Sequence, residues 1–153
     1  DGACDSHCSL REAIAAAASG DTINVSAGTY TLTVGSQLTI DKNLTLIGAD
    51  QASTIIQATA DGSVQSRVFK VSGGDVSIAN VTIKNGKPPQ GGGGGILISN
   101  GTLTLSHSTV TTNAATTSRK GGGIYIDSGA TLNLNNSTVT ENTSGDDGGG
   151  IYS

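Results

Sequence analysis

Apolar and polar residues alternate along most of this chain in short bursts, without long apolar runs. Leu38-Thr39-Ile40, Val76-Ser77-Ile78, Leu103-Thr104-Leu105 and Leu132-Asn133-Leu134 each read apolar, polar, apolar. That is the period-two signature of a strand whose outer residues enter a core and whose middle residue faces out. Each is followed by a second phrase: Asn43-Leu44-Thr45-Leu46, Asn80-Val81-Thr82-Ile83, His107-Ser108-Thr109-Val110 and Asn136-Ser137-Thr138-Val139, with last residues 37, 27 and 29 positions apart. A third begins at Val68-Phe69-Lys70-Val71. It returns as Gly93-Gly94-Gly95-Ile96-Leu97-Ile98, Gly121-Gly122-Gly123-Ile124-Tyr125-Ile126 and Gly148-Gly149-Gly150-Ile151-Tyr152-Ser153, its isoleucines 28 and 27 apart. Such a period marks a solenoid, in which each repeat buries its apolar face only by stacking on the next. Three short strands per coil describe an all-β parallel β-helix of about five coils, stacked ~4.8 Å apart.

The opening coil is assigned to Thr22-Ile23-Asn24-Val25 and Thr29-Tyr30-Thr31-Leu32. Extra length between Leu46 and Ile83 is assigned to Thr54-Ile55-Ile56-Gln57 and a protruding loop from Ala60 to Ser66. A second loop holds Lys87-Pro88-Pro89-Gln90, where proline rules out a central ladder position. The start of the chain follows another rule. Ser9-Leu10-Arg11-Glu12 is a capping box, with Ser9 and Glu12 as the reciprocal pair. Leu10, Ala13, Ile14 and Ala17 then form one apolar stripe at helical spacing. A helix is predicted from Leu10 to Ala18, lying over the first coil. Residues 1–20 are thus a cap, and 21–153 a single β-helix that ends within a coil.

Composition narrows the interior and the partners. With one Phe, three Tyr, no Trp and no Met among 153 residues, the core must be Ile, Val, Leu and Ala. The 23 glycines fall at periodic places, which favours ordered turns over a disordered linker. Net charge is −4 with dispersed Lys and Arg, so the electrostatic footprint of nucleic-acid binding is absent. No apolar run approaches the ~20 residues needed to cross a bilayer. No signal peptide opens the chain at Asp1, and a mature, processed or trimmed product is expected.

Cys4 and Cys8 are the only cysteines, and a local disulfide in an oxidising compartment is the first expectation. A metal site of Cys4, His7 and Cys8 is the alternative, but no fourth ligand is visible nearby. The run Cys8-Ser9-Leu10-Arg11-Glu12-Ala13-Ile14 resembles the N-terminal signature of the CSLREA-domain proteins, large secreted or surface-attached bacterial proteins. The resemblance implies an exported protein whose cap precedes a right-handed, single-stranded parallel β-helix. It implies no chemistry.

Several residues that look functional fall into the repeat. Asn43, Asn80, His107 and Asn136 occupy one step of the second phrase and are expected to form an inward structural ladder serving the amides of a repeated turn. His107 then reads as a substituted rung, having no acid, Ser or Cys partner in its motif. Thr45, Thr82, Thr109 and Thr138 form an outward column, so the resulting Asn-x-Thr sequons come from register and are no evidence of glycosylation. The glycine clusters are expected to stack at one corner, and no helix follows them to receive a phosphate. Gly145-Asp146-Asp147-Gly148 is a weak calcium candidate, because the equivalent earlier turn is the basic Ser118-Arg119-Lys120. No metal and no cofactor are assigned.

The Gly-Gly-Gly-Ile-Tyr phrase, with Val110-Thr111-Thr112-Asn113 and Val139-Thr140-Glu141-Asn142, resembles the repeat of polymorphic outer-membrane adhesins over residues 76–153. That resemblance implies surface attachment and display. The expected function is an exported, non-catalytic bacterial surface or extracellular structural protein, adhesive or assembling end to end into filaments. Gly148, Gly149, Gly150, Ile151 and Tyr152 are read as the first strand of an unfinished coil and as its assembly end. Its aliphatic core and strand edge would be covered by further β-helix chain or by another copy, head to tail. Cell-surface or glycan ligands are the other expected partners, with no membrane insertion.

A pectate-lyase-like enzyme acting on polysaccharide is the alternative. Against it, Asp41, Asp75, Asp127 and Glu141 fall at different steps, and the few aromatics offer no sugar-stacking platform. The second alternative is ice or surface binding through the Thr columns. Thr82-Ile83-Lys84 and Leu44-Thr45-Leu46 interrupt that double row.

Overall fold

The computed structural model describes residues 9–153. Seventeen strands and one helix wind into five coils of a parallel β-solenoid. Coil one holds β1 (Asp21–Val25), β2 (Gly28–Leu32) and β3 (Leu38–Ile40). Coil two holds β4 (Leu44–Gly48), β5 (Thr54–Ala58) and β6 (Phe69–Val71), and coil three holds β7 (Asp75–Ala79), β8 (Thr82–Lys84) and β9 (Ile96–Ile98). Coil four runs through β10 (Thr102–Ser106), β11 (Thr109–Thr111), β12 (Ala114–Thr117) and β13 (Ile124–Ile126). Coil five repeats it with β14 (Thr131–Asn135), β15 (Thr138–Thr140), β16 (Thr143–Gly145) and β17 (Ile151–Tyr152).

Three five-stranded sheets form the walls: β1-β4-β7-β10-β14, β2-β5-β8-β11-β15 and β3-β6-β9-β13-β17. β12 and β16 add a two-stranded strip between the second and third walls. The strip begins only at coil four. In coil three the same stretch contains Pro88 and Pro89, whose missing amides cannot extend a ladder.

Alternation does the folding work predicted of it. Leu44, Val76 and Leu103 stack in one inward column and Phe69, Ile96 and Ile124 in another, each 0–2% exposed. The single Phe and the aliphatic residues fill the interior, and the buried polar side chains Thr54, Ser66, Arg67, Ser108 and Asn113 sit among them. No buried side-chain N or O atom lacks a hydrogen-bond partner among the described residues.

Register differs from the sequence expectation at two points. Leu38-Thr39-Ile40 belongs to the third wall, where Leu38 pairs with Phe69. Asn43-Leu44-Thr45-Leu46 belongs to the first, where Leu44 pairs with Val76. Thr54-Ile55-Ile56-Gln57 is therefore β5, a regular strand of the second wall, where Ile55 pairs with Thr82, and is no part of an insertion. Coil two is longer because of the turn from β4 to β5, residues 49–53, and not the loop from Ala60 to Ser66: Leu44 to Ile55 spans 11 residues against 6 from Val76 to Thr82, while Ile55 to Phe69 and Thr82 to Ile96 both span 14. β17 is likewise the third strand of coil five, not the opening of another coil.

Helix α1 (Leu10–Ala16) is shorter than predicted because Ala17 has already turned extended, at ψ 137°. Ser9 Oγ accepts from Glu12 N at 3.3 Å, and Ser9 N donates to Glu12 Oε2 at 2.8 Å. The bond from Ser9 N, and after it one that Ser9 Oγ donates to Glu12 Oε2 at 2.8 Å, holds the Glu12 carboxyl below its usual range. Leu10 and Ile14 enter the core. Two cations fasten the helix to the coils. Arg11 donates to Gln37 O at 2.8 Å and Ser36 O at 2.6 Å, and Lys42 Nζ donates to Ala17 O at 2.8 Å, serving the end where the helix has no basic residue of its own. Cys4, His7 and Cys8 lie outside the described residues.

Candidate functional site

Stacking at one coil spacing forces equivalent side chains into contact, so each outward column is a continuous surface. On the third wall that column is Thr39, Lys70, Leu97, Tyr125 and Tyr152. The two tyrosine rings stack with centroids 5.3 Å apart and planes inclined by 25°. Scarcity of aromatics thus does not mean dispersal: two of the three tyrosines form one platform.

Beside it run the turn residues preceding the glycine clusters. The third-wall register places Gly92, Lys120 and Asp147 in one column and Gly91, Arg119 and Asp146 in the next. Lys120 Nζ sits 4.4 Å from the Tyr152 ring centroid, donates to Tyr152 Oη at 2.9 Å and lies 3.4 Å from Asp147 Oδ2. The hydrogen bond to Tyr152, and after it Asp147, raises the Lys120 ammonium above its ordinary range.

Coil three has only glycine where coil four has Arg119 and Lys120, and this difference opens a cleft of about 340 Å³. Gly91, Gly92, Leu97, Tyr125, Arg119 and Asp127 line it. A Cβ on Gly92 would run into Lys120 O and lie 2.5 Å from Tyr125 Cδ2, so the ring rests on bare backbone. Arg67 lies behind, 7% exposed, donating from Nε to Gly93 O at 2.7 Å, from Nη2 to Gly92 O at 2.6 Å and from Nη1 to Gln37 Oε1. Burial lowers its pKa to about 10, against the opposing pull of Asp127, and it stays cationic at neutral pH.

The ladder residues need correction. Asn80, His107 and Asn136 do share a step, in the left-handed conformation at φ 58°, 48° and 48°, but their side chains face outward, His107 and Asn136 being exposed. His107 Nε2 approaches Asn136 Nδ2 at 3.4 Å. Asn43 stands elsewhere, one residue before β4, accepting from Asp75 N at 2.9 Å. The inward rung is the next residue along: Ser108 Oγ accepts from Val81 N at 3.3 Å, and Ser137 Oγ from Ser108 N at 3.2 Å. The true asparagine ladder is Asn113 over Asn142. Each follows a left-handed residue, Thr112 at φ 56° or Glu141 at φ 54°, which turns the asparagine inward. Its signal was the recurring Val-x-x-Asn phrase.

The acids are not assembled into a catalytic pair. Asp41 and Asp127 fall in one column with Ser72 and Ser99 between them, three coil steps and hence ~14 Å apart. Asp75 lies beside Asn43, and Glu141 at the corner after β15. Asp147 is paired with Lys120, and Asp146 N donates to Arg119 O at 3.2 Å. Among the described residues no three His, Cys, Asp or Glu side chains are grouped to hold a metal.

On the second wall the rows Thr29/Thr31, Thr109/Thr111 and Thr138/Thr140 carry paired threonines, while Ile55/Gln57 and Thr82/Lys84 break the set. Leu44-Thr45-Leu46 is not on this wall. Gln51 crosses the face, accepting from Thr82 Oγ1 at 2.9 Å through its carbonyl and donating to Thr109 Oγ1. At the assembly end, Gly148, Gly149 and Gly150 carbonyls accept from Gly122, Gly123 and Ile124 amides, while Ile151 is 38% and Leu134 39% exposed. Comparison with protein families, with curated proteins and with solved structures gives no significant match.

Proposed function

We propose that this chain is a non-catalytic structural module of an exported bacterial surface or extracellular protein, adhesive through the outer faces of its solenoid. The observation that carries the reading is the distribution of chemistry over the walls. Outward columns are dominated by Thr, Ser, Asn and stacked Tyr, while Asp41 and Asp127 stand three coil steps, ~14 Å, apart, beyond the spacing of the paired carboxylates of glycoside hydrolysis, and Asp75 and Glu141 fall in other columns. Regular coils held by inward ladders make a stiff support, and flat polar columns make extended contact surfaces.

The end-to-end part of the reading rests on the last rung, where Leu134 and Ile151 are exposed and β17 leaves one edge unpaired. Further coils, of the same chain or another, fit that edge. α1 packs over the first coil and is fastened there by Arg11 and Lys42, so head-to-tail stacking of a second copy requires displacement of the cap.

The test is incubation with a panel of acidic and neutral polysaccharides, alongside sedimentation of the purified chain. No new reducing ends are expected, and any concentration-dependent pairing disappears in Leu134→Lys. Release of reducing ends that is lost in Asp127→Asn would replace this reading by the polysaccharide-active one.

A further inference from the structure

We propose that the cleft beside Tyr125 binds an acidic sugar unit of a surface glycan, with Arg119 taking its carboxylate and Leu97 and Tyr125 its apolar ring face. The proposal deepens the adhesive reading and rests on it for its setting.

Three cations surround the cleft, and two are spent. Arg67 is buried and directed at the Gly92 and Gly93 carbonyls. Lys120 is held by Tyr152 and Asp147. Arg119 is exposed and enters the fold through its backbone alone among the described residues: its amide donates to Thr116 O at 3.0 Å and its carbonyl accepts from Asp146 N at 3.2 Å. Its guanidinium is the donor fork left in the wall, suited to a carboxylate by planar two-point geometry.

The rest of the cleft argues for a sugar over a bare anion. Leu97 and Tyr125 supply an apolar strip on adjacent coils, and Asp127, also lining the cleft, is an acceptor for hydroxyls. On the coil-three side Gly91 presents bare backbone to the cleft, while Gly92 is already covered by the Tyr125 ring. The volume, about 340 Å³, is at the small end for ligand sites and suits one or two sugar units of a chain crossing the wall.

The test is calorimetric titration of the whole chain with an oligogalacturonate, with a malto-oligosaccharide of equal length as the neutral control and inorganic sulfate as competitor. Binding of the acidic chain alone is expected, with affinity falling at least about tenfold in Arg119→Ala and Tyr125→Ala. Tyr125→Leu, which gives coil four the residue coil three already carries, keeps the test open if Tyr125→Ala does not fold. Lys84→Ala, on the second wall, leaves affinity unchanged. Absence of binding, equal binding of the neutral chain, full displacement by sulfate (an adventitious anion site only) or undiminished affinity in Arg119→Ala overturns the proposal. Each of these outcomes leaves the reducing-end and sedimentation results, and with them the structural reading, standing on their own.

Discussion

Asn113 donates from Nδ2 to Asn142 Oδ1 at 3.0 Å, joining coil four to coil five inside the solenoid. The same amide group donates to Ile83 O at 3.1 Å in coil three, while Asn113 Oδ1 accepts from Gly86 N at 2.8 Å. One side chain thus satisfies backbone groups of a neighbouring turn where water does not reach, at 1% exposure.

Replacing Asn113 with Ala should therefore cost about 3 kcal/mol, the sum expected for orphaning a buried amide and a buried carbonyl. Asn113→Asp at neutral pH should be as damaging, since a carboxylate cannot donate to Ile83 O, and should recover on acidification. Urea unfolding checks both, and a cost below ~1 kcal/mol would show that the ladder is not what closes this turn.

The outward left-handed column makes the opposite prediction. His107 is held at φ 48°, a conformation that glycine adopts freely and a β-branched residue resists. His107→Gly should be neutral or stabilising by up to about 1 kcal/mol, and His107→Val destabilising by about 1–2 kcal/mol. Thermal melts of the two variants decide it. Loss of stability in both would mean that the imidazole contributes through contacts beyond its approach to Asn136.

Two groups at the surface, Glu12 and the half-buried Lys120, set opposite pH windows. Glu12 is depressed by its bonds to Ser9, so its stabilisation is present above the ordinary carboxyl value of 4.5 and is lost as pH falls through the lower folded value. Lys120 is raised by Tyr152 and Asp147, so its stabilisation is present below 10.5 and is lost as pH rises through the higher folded value. Melts across pH should show the acid loss reduced in Glu12→Gln, with the part from Asp61, depressed by Ser63, remaining, and the alkaline loss reduced in Tyr152→Phe, with the part from Asp147 remaining.

The fold class was legible because apolar triplets recur at 27–29 residues, and only stacked coils bury such short strands. Register in the first two coils was not, because Leu44-Thr45-Leu46 and Val81-Thr82-Ile83 are the same pattern on different walls. What separates them is turn length. Two residues, Asn80 and Val81, join β7 to β8, whereas five join β4 to β5. Alternation fixes which residues face in but leaves the wall undetermined until the turns are counted. At the candidate site, the Tyr125 and Tyr152 column was written in the repeated Gly-Gly-Gly-Ile-Tyr phrase. The cleft was hidden because it arises from what coil three lacks beside what coil four carries, a comparison that requires register first.

Register is accordingly the claim on which the tyrosine platform, the cleft and the separated acids all depend. Disulfide trapping tests it in a chain with Cys4 and Cys8 replaced by Ser. Paired residues of neighbouring parallel strands lie ~4.8 Å apart, within reach of a disulfide, which needs Cα atoms closer than ~7 Å. Thr45→Cys with Ser77→Cys, partners in the first wall, should oxidise to an intramolecular bond, and Thr45→Cys with Thr82→Cys, on different walls, should not. Trapping of the second pair and not the first would contradict the account.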